Sequence, residues 1–243
     1  MKKGNYQVVI LVGGIGERLY PITKKVPKPM VEINGKPFLE IKLEQVAQSG
    51  IRDVILCIDY LGHIIEDHFK DGRDFGLNIS YARVSKNLGT GGAIKNAEHI
   101  IRGDFIAMNG DTYASLNLVE LITFHEKNNN PITMLVTRGT NPKEQELVEI
   151  EGNIIKYIYE RRTKEHASYL EKTANPLVNG GHYVIKKEVL DIIPRGKDIS
   201  LENSVFPKYI GKMTGFVYRG YFKDIGTKRL LEEFIIDYKN EKI

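Results

Sequence analysis

At 243 residues and 42% hydrophobic content, the chain is long enough to bury one large α/β core and short for two full domains. Its 35 basic and 31 acidic residues are scattered and leave a net charge of +4, so no polybasic block is present to grip nucleic acid or an acidic membrane. One cysteine, Cys57, excludes an internal disulfide, and its place in the apolar run VILCI reads as a buried thiol.

The N-terminal MKKGNYQ carries no long apolar stretch behind its lysines, which points to a cytoplasmic chain without leader or membrane span. Residues 8–12, VVILV, predict a strand buried on both faces. Gly13, Gly14 and Gly16 then remove side chains so that the backbone turns sharply and its N–H groups approach an anion. Two cations follow, Arg18 and Lys28, the second between Pro27 and Pro29, where the local backbone is restricted.

Apolar spacing predicts a helix over 38–49 ended by Gly50, a strand over 53–58, a short helix over 62–69 and a strand over 77–84. A helix over 91–101 opens on the run LGTGG, and a strand over 105–108 leads straight into Asn109-Gly110-Asp111. This alternation predicts an α/β fold with a doubly wound, mostly parallel sheet, whose ligands bind beyond the carboxyl ends of the strands. The opening loop, the end of strand 77–84 and Asp111 all fall at that edge.

After a helix over 117–129 the rhythm changes. Residues 133–137, 147–151, 154–160 and 177–185 are strand-like with few helices between them, so part of the second half pairs antiparallel and the sheet is mixed. Glu151-Gly152-Asn153 is a hairpin turn, and the polar stretch 161–175 reads as a mobile lid or excursion. A short helix near 201–210, strands at 214–218 and 221–224, and a helix over 228–238 complete the chain.

The opening loop lacks the third glycine of the dinucleotide fingerprint, since Leu19 stands there, and no Gly-Lys-Ser/Thr completes a Walker loop. What remains is the much longer pattern GGxGxRLxPxTxxxPKPM, carried by Gly13, Gly14, Gly16, Arg18, Leu19, Pro21, Thr23 and Pro27-Lys28-Pro29. Further along stand Leu88-Gly89-Thr90-Gly91-Gly92-Ala93, Asn109-Gly110-Asp111, Glu160, Asn179-Gly180-Gly181 and Asp224-Ile225-Gly226-Thr227. With these motifs in this order, nearly the whole chain resembles the sugar-1-phosphate nucleotidyltransferases, or nucleoside-diphosphate-sugar pyrophosphorylases.

The resemblance implies a Rossmann-like three-layer α/β/α sandwich forming one catalytic domain over 1–243, with residues 1–115 on the nucleotide side and 116–243 on the sugar-phosphate side. It implies attack by a sugar 1-phosphate oxygen on the α-phosphorus of a nucleoside triphosphate, with pyrophosphate leaving. A phosphate monoester is already an anion, so such chemistry calls for cations, a metal and oriented N–H donors rather than a catalytic His or Ser.

Under this resemblance Leu11, Gly13, Gly14, Gly16 and Glu17 cradle the nucleotide, Arg18 neutralises charge near the leaving pyrophosphate, and Lys28 reaches the α-phosphate and the incoming phosphate. Leu88, Gly89 and Thr90 contact base and ribose. Asn109, Glu160, Arg161, Asn179 and Gly180 serve the sugar phosphate, and Asp111 with Asp224 holds magnesium (Mg2+) through hard oxygen ligands. The chain departs from the family at Arg161-Arg162, where Lys-Pro is usual, and an Arg fork changes the geometry.

Of the histidines at 63, 68, 99, 125, 166 and 182, only His182 is expected near the site, and none shows paired metal-ligand spacing. Val12-Gly13, in place of Ala-Ala, resembles the guanylyl- and thymidylyl-transferring branches. LGTGGA, Ser200-Leu201-Glu202 before Phe-Pro, and the short length look most like the guanylyltransferases of D-glycero-D-manno-heptose 1-phosphate, with those of mannose 1-phosphate close behind. The segment LGHIIEDHFKDGRDFGLNISY is similar to the uridylyltransferase of N-acetylmuramic acid 1-phosphate, and transfer from dTTP to glucose 1-phosphate is a further alternative.

A cytidylyltransferase of a phosphorylated alcohol and a silent nucleotide-sugar sensor are the rival classes. Asn179-Gly180-Gly181 argues against the first, and the presence of Arg18, Lys28, Asp111 and Asp224 against the second. No hexapeptide repeat follows the catalytic region, so no attached β-helix is expected. Enzymes of this type make nucleotide sugars for capsule or other surface polysaccharides and often form homo-oligomers, with no nucleic-acid or membrane partner.

Overall fold

The computed structural model describes residues 6–84 and 88–240; the extreme N-terminus, on which the leader expectation rests, lies outside them. The first half runs β1 (Gln7–Leu11), a small ribbon of β2 (Glu32–Ile33) and β3 (Lys36–Pro37), α1 (Phe38–Gln48), β4 (Asp53–Ile58), α2 (Gly62–Phe69), β5 (Asn78–Arg83), α3 (Gly89–Asn96) and β6 (Phe105–Asn109). Then come β7 (Thr112–Ala114), α4 (Leu118–Asn128), β8 (Ile132–Arg138), β9 (Leu147–Glu151), β10 (Ile154–Tyr159) and α5 (Lys164–Lys172). The chain closes with β11 (Leu177–Ile185), β12 (Met213–Tyr218), β13 (Phe222–Asp224) and α6 (Lys228–Lys239).

Nine strands form one mixed sheet in the order β5-β4-β1-β6-β11-β8-β12-β10-β9. β5, β4, β1 and β6 run parallel, β11 enters antiparallel beside β6, and β12 is again parallel to β8. The alternation in β1 explains why both faces are covered: Val8 and Ile10 pack with Leu39 and Leu43 of α1, whereas Val9 packs with Ile94 of α3. The fold is the doubly wound Rossmann-like α/β/α sandwich with a mixed sheet.

Local chemistry sets the element ends. α4 starts where the Asn117 side chain accepts from Val119 N at 3.0 Å, and it stops at Asn129, which takes the left-handed conformation at φ 52°. The α3 helix begins two residues earlier than its spacing predicts, because Gly91 N and Gly92 N both bond to Ile199 O at 2.8 and 3.0 Å. Much of the stretch 161–175, expected as a lid or excursion, is helical. It contains α5, capped by Thr163 and held by His166 Nε2 on Gln145 O at 2.9 Å and by Tyr169 stacked on Tyr159. The 201–210 segment is a short π-helical turn followed by a 3-10 turn rather than one helix.

Two features of the pairing carry function. Because β11 runs against β6, its first residues, including Asn179, lie at the same edge as the end of β6. Between Asn179 and Tyr183 four residues of β11 span only two of β8, a bulge that includes Gly180 and Gly181, the latter at φ 67°. A Cβ on Gly180 would overlap Leu135 Cδ2 and lie 3.0 Å from Leu135 O, and Leu135 is a fully buried core residue. Gly180→Ala is therefore expected to cost about 1–3 kcal/mol through overpacking; urea unfolding of the variant checks this, and unchanged stability would contradict the packing.

Candidate active site

The end of β1 turns into the glycine loop with Val12 N bonded to Cys57 O at 3.0 Å, while Gly110 N from the next strand bonds to Leu11 O at 3.0 Å. Gly13 lets Asp59 approach, since a Cβ there would sit 2.9 Å from Asp59 Cβ. Gly16, at φ 72°, lies against the stem of Lys28, so that a Cβ there would sit 3.0 Å from Lys28 Cβ, and its carbonyl accepts from Thr23 Oγ1 at 2.8 Å. The loop thus wraps the lysine. Lys28 is only 7% exposed, and its ammonium donates to Asp111 Oδ2 at 2.5 Å.

Asp111 follows β6, and the β7–β13 ribbon, in which Thr112 pairs with Asp224, sets the second carboxylate beside it. Ile225 N donates to Asp111 O at 2.9 Å, closing the corner. Burial pushes the Asp111 carboxyl up, but the Lys28 ammonium outweighs it and the net direction is down. Asp224 is raised, by burial and then by the Asp111 charge.

Two mutually repelling hard-oxygen donors suit magnesium, which uses one or two carboxylates together with substrate phosphates. Among the described residues no group of three His, Cys, Asp or Glu side chains forms a self-sufficient metal cage. The donor set therefore fits a metal that arrives with phosphate.

Beneath this corner Lys42 of α1 is fully buried and donates to Thr112 O at 2.5 Å. Burial drives its ammonium down to about 7. Sequence spacing gives no sign of this, because Lys42 lies on a helix whose apolar pattern is complete without it.

Two clefts meet at Asp111. The first, about 310 Å³, is lined by Leu11, Gly13, Gly14, Leu88, Gly89 and Thr90, with Lys28, Asn109 and Asp111 at its inner end. The second, about 300 Å³, shares Thr90, Asn109 and Asp111 and adds Arg18, Arg161, Asn179 and Asp224. Most of the residues singled out in the sequence are thus brought to one place.

Several lie elsewhere or differently. Gly16 packs behind Lys28, and Glu17 is exposed at the start of a 3-10 turn; neither lines a cleft. Gly180 backs onto Leu135 in the core. Glu160 is exposed outside the cleft wall, 3.4 Å from Asn203 Nδ2. Arg18 lines the second cleft rather than the first: a Cβ on Gly226 would lie 2.8 Å from Arg18 Nη2 and 2.6 Å from Asp224 Oδ1. The structure adds Asp59, Thr112, Glu146, Glu202 and Asn203 to the lining. Of these, only Glu202 falls in a segment that the sequence had marked.

His182 does sit behind the site, fully buried, with Nδ1 2.8 Å from Gly180 O. Burial lowers it to about 3, and His125, also buried, to about 4. Both are neutral when folded, so neither supplies a proton. Because an unfolded His binds its proton near pH 6.5, the unfolded chain holds more protons between that pH and the folded values, and stability falls as pH drops. Each should cost about 2 kcal/mol by pH 5. Urea unfolding at pH 7.5 and 5 checks this; a His125→Gln/His182→Gln variant should lose correspondingly less on acidification.

A glycine loop and a nearly buried ammonium paired with a partly exposed carboxylate stand where two clefts meet at the carboxyl edge of a doubly wound sheet. The chain belongs to the nucleotidyl transferase family, whose model matches residues 7–241.

It is 36% identical over 237 residues to mannose-1-phosphate guanylyltransferase of Mycobacterium tuberculosis, an alignment covering 93% of this chain and 62% of the relative. It is 30% identical to D-glycero-alpha-D-manno-heptose 1-phosphate guanylyltransferase of Campylobacter jejuni, covering 95% of this chain and 99% of the relative. The chain therefore spans about three fifths of the length of the first relative and nearly all of the second. The crystal structure of HddC from Yersinia pseudotuberculosis superposes with a TM-score of 0.81 at 29% identity, covering 96% of this chain and 99% of that one; HddC has also been solved complexed with GMP-PN. Among the described residues no helix is long and apolar enough to cross a membrane.

Proposed function

We propose that the chain joins a nucleoside triphosphate to a sugar 1-phosphate, with GTP as the nucleotide and D-glycero-D-manno-heptose 1-phosphate as the first candidate sugar. Mannose 1-phosphate is second. The observation that carries the reading is the Lys28–Asp111 pair at the junction shared by both clefts, one lined by glycine backbone and the other by polar side chains. The guanylyl preference is supported by the two relatives and by the HddC complex with GMP-PN.

In this reading the triphosphate lies along Gly13 and Gly14, which line the first cleft, with the base between Leu11 and Leu88–Thr90. The sugar phosphate enters from the second cleft past Arg161 and Asn179. Its oxygen attacks the α-phosphorus in line: one P–O bond forms, the bond to pyrophosphate breaks, and no proton is transferred because the nucleophile is already anionic. Lys28 holds its charge on the transferring phosphoryl group, and Arg18 balances phosphate beside Asp224. Asp111 and Asp224 would hold a magnesium ion, which supplies charge neutralisation to phosphate oxygens when bound.

Residues 1–115 and 116–243 act as the nucleotide and sugar halves of one catalytic unit, although Arg18, Thr90 and Asn109 of the first also line the second cleft. The product would serve surface-polysaccharide synthesis in the cytoplasm, in a homo-oligomer.

The test is pyrophosphate release over a matrix of GTP, dTTP, UTP, CTP and ATP against heptose, mannose, glucose and N-acetylmuramic acid 1-phosphates with magnesium. Release with GTP and a manno-configured sugar is expected, and release with no pair would sink the assignment. Lys28→Ala and Asp111→Ala should each lower turnover by roughly 10²- to 10³-fold while the circular dichroism spectrum is kept. Near-wild-type turnover in either would remove that residue from the mechanism. Chelation with EDTA should abolish release, and added magnesium should restore it.

A further inference from the structure

Away from the phosphate-handling corner, the first cleft is walled mainly by glycine backbone and apolar side chains such as Leu11, Val84, Leu88 and Ala93. Its polar side chains are mostly committed. Lys28 is bound to Asp111, with Asn109 beside them at the inner end, and Thr90 Oγ1 donates to Glu202 Oε2 at 2.7 Å. Cys57 Sγ donates to Ala93 O at 3.7 Å. The exception is Asp59, an exposed residue whose carboxylate has no hydrogen bond or ion pair among the described residues.

Sheet register places this carboxylate. Leu11 of β1 pairs with Cys57 of β4 on one side and with Asn109 of β6 on the other. Two residues past these three stand Gly13, Asp59 and Asp111, at matching places on the ends of adjacent parallel strands. Strands lie about 4.8 Å apart, which sets Asp59 about 10 Å along the edge from the Asp111 corner. Gly13 stands between, and a Cβ on it would lie 2.9 Å from Asp59 Cβ and 3.3 Å from Asp59 N, so the missing side chain leaves room for the aspartate. The backbone around Asp59 is fixed as well: Gly62 N donates to Asp59 O at 3.0 Å, and Tyr60 OH to Lys24 O at 3.2 Å.

With the α-phosphate at Lys28 and Asp111, the ribose spans Gly13 and the edge of the base falls toward Asp59. A carboxylate accepts hydrogen bonds on two oxygens and donates none. Guanine meets it with two adjacent donors, N1–H and the 2-amino group. Uracil and thymine offer one N–H between two carbonyls, and adenine and cytosine set an amino group beside an unprotonated ring nitrogen. Each of those four bases would turn an acceptor toward the carboxylate. Ribose hydroxyls also donate to carboxylates, but in this arrangement they lie nearer the phosphate, over Gly13.

We propose that Asp59 is the residue that selects the nucleobase, accepting from N1–H and the 2-amino group of guanine. The inference rests on the reading of the first cleft as the nucleotide site, and it names the side chain that makes the preference guanylyl.

The experiment measures binding of GTP, ITP, dGTP and XTP, each with magnesium, to the wild type and to Asp59→Asn by isothermal titration calorimetry, so that the identity of the sugar does not enter. ITP lacks the 2-amino group and dGTP the 2′-hydroxyl. In the wild type GTP should bind roughly 10- to 100-fold more tightly than ITP, the range of a charge-assisted hydrogen bond. Asp59→Asn should erase that difference and leave the ratio of GTP to dGTP unchanged. It should also bind XTP more tightly than GTP, because the amide offers one donor to the xanthine 2-carbonyl and one acceptor to N1–H. A gain of XTP affinity is a result that misfolding does not give.

A variant that keeps the preference for GTP over ITP would overturn the proposal. So would one whose GTP-to-dGTP ratio changes instead, which would put Asp59 on the ribose, and so would wild-type selectivity for a nucleotide other than GTP. Guanine-selective binding that depends on Asp59, without pyrophosphate release from any sugar phosphate, would uphold this inference and remove the transfer reading. Pyrophosphate release with GTP that Asp59→Asn leaves unaltered would do the reverse.

Discussion

A nearly buried ammonium held against a carboxylate is the constraint around which this molecule is arranged. Lys28, only 7% exposed, depends on the carboxylate for its charge to be tolerated there, while Asp111 keeps part of its surface in solvent. The surroundings serve that pair. Gly16 and Thr23 close over the lysine stem, the prolines on either side restrict its backbone, and the β6–β7 turn with Ile225 N fixes the aspartate. The same pair biases the neighbouring carboxylate. The Lys28 ammonium holds the Asp111 carboxyl down, while burial and then the Asp111 charge raise Asp224.

Sheet topology turns this corner into a junction. The parallel strands β5, β4, β1 and β6 bring their carboxyl ends to one edge, and that edge forms the glycine-lined cleft. Inserting β11 antiparallel between β6 and β8 delivers the start of a strand, rather than its end, to the same edge. That reversal is why Asn179 meets Asn109 and Asp111, and why the second cleft lies beside the first.

Behind the site, several buried polar side chains are tied to backbone and amide oxygens. Lys42 bonds to Thr112 O, His182 contacts Gly180 O, and Tyr183 donates to Asn179 Oδ1. These contacts hold the backbone and amide groups that line the clefts, so the buried polar groups position the site without facing the ligands. Such satisfied contacts favour one arrangement over its neighbours, because each alternative would leave a donor or acceptor buried and unmet.

The sequence by itself determined the parts whose signal is local. Runs of apolar residues marked the strands, glycines marked the turns, and the resemblance of the motifs around Arg18, Lys28, Asp111 and Asp224 to a known family pointed to phosphate chemistry. Only the tertiary structure decided the rest. Lys42 reads as one more helical lysine until a carbonyl 70 residues away takes its proton donor. Gly180 sits in a bulge packed onto Leu135, and Glu160 stands just past β10 beside Asn203, placements that periodicity does not record. Glu146 and Glu202 reach one cleft because β9 and the 201–205 turn converge there, with Glu202 tied to Thr90. Periodicity records what each residue does to its own helix or strand, whereas burial and facing charge depend on which distant segments the sheet order places beside it.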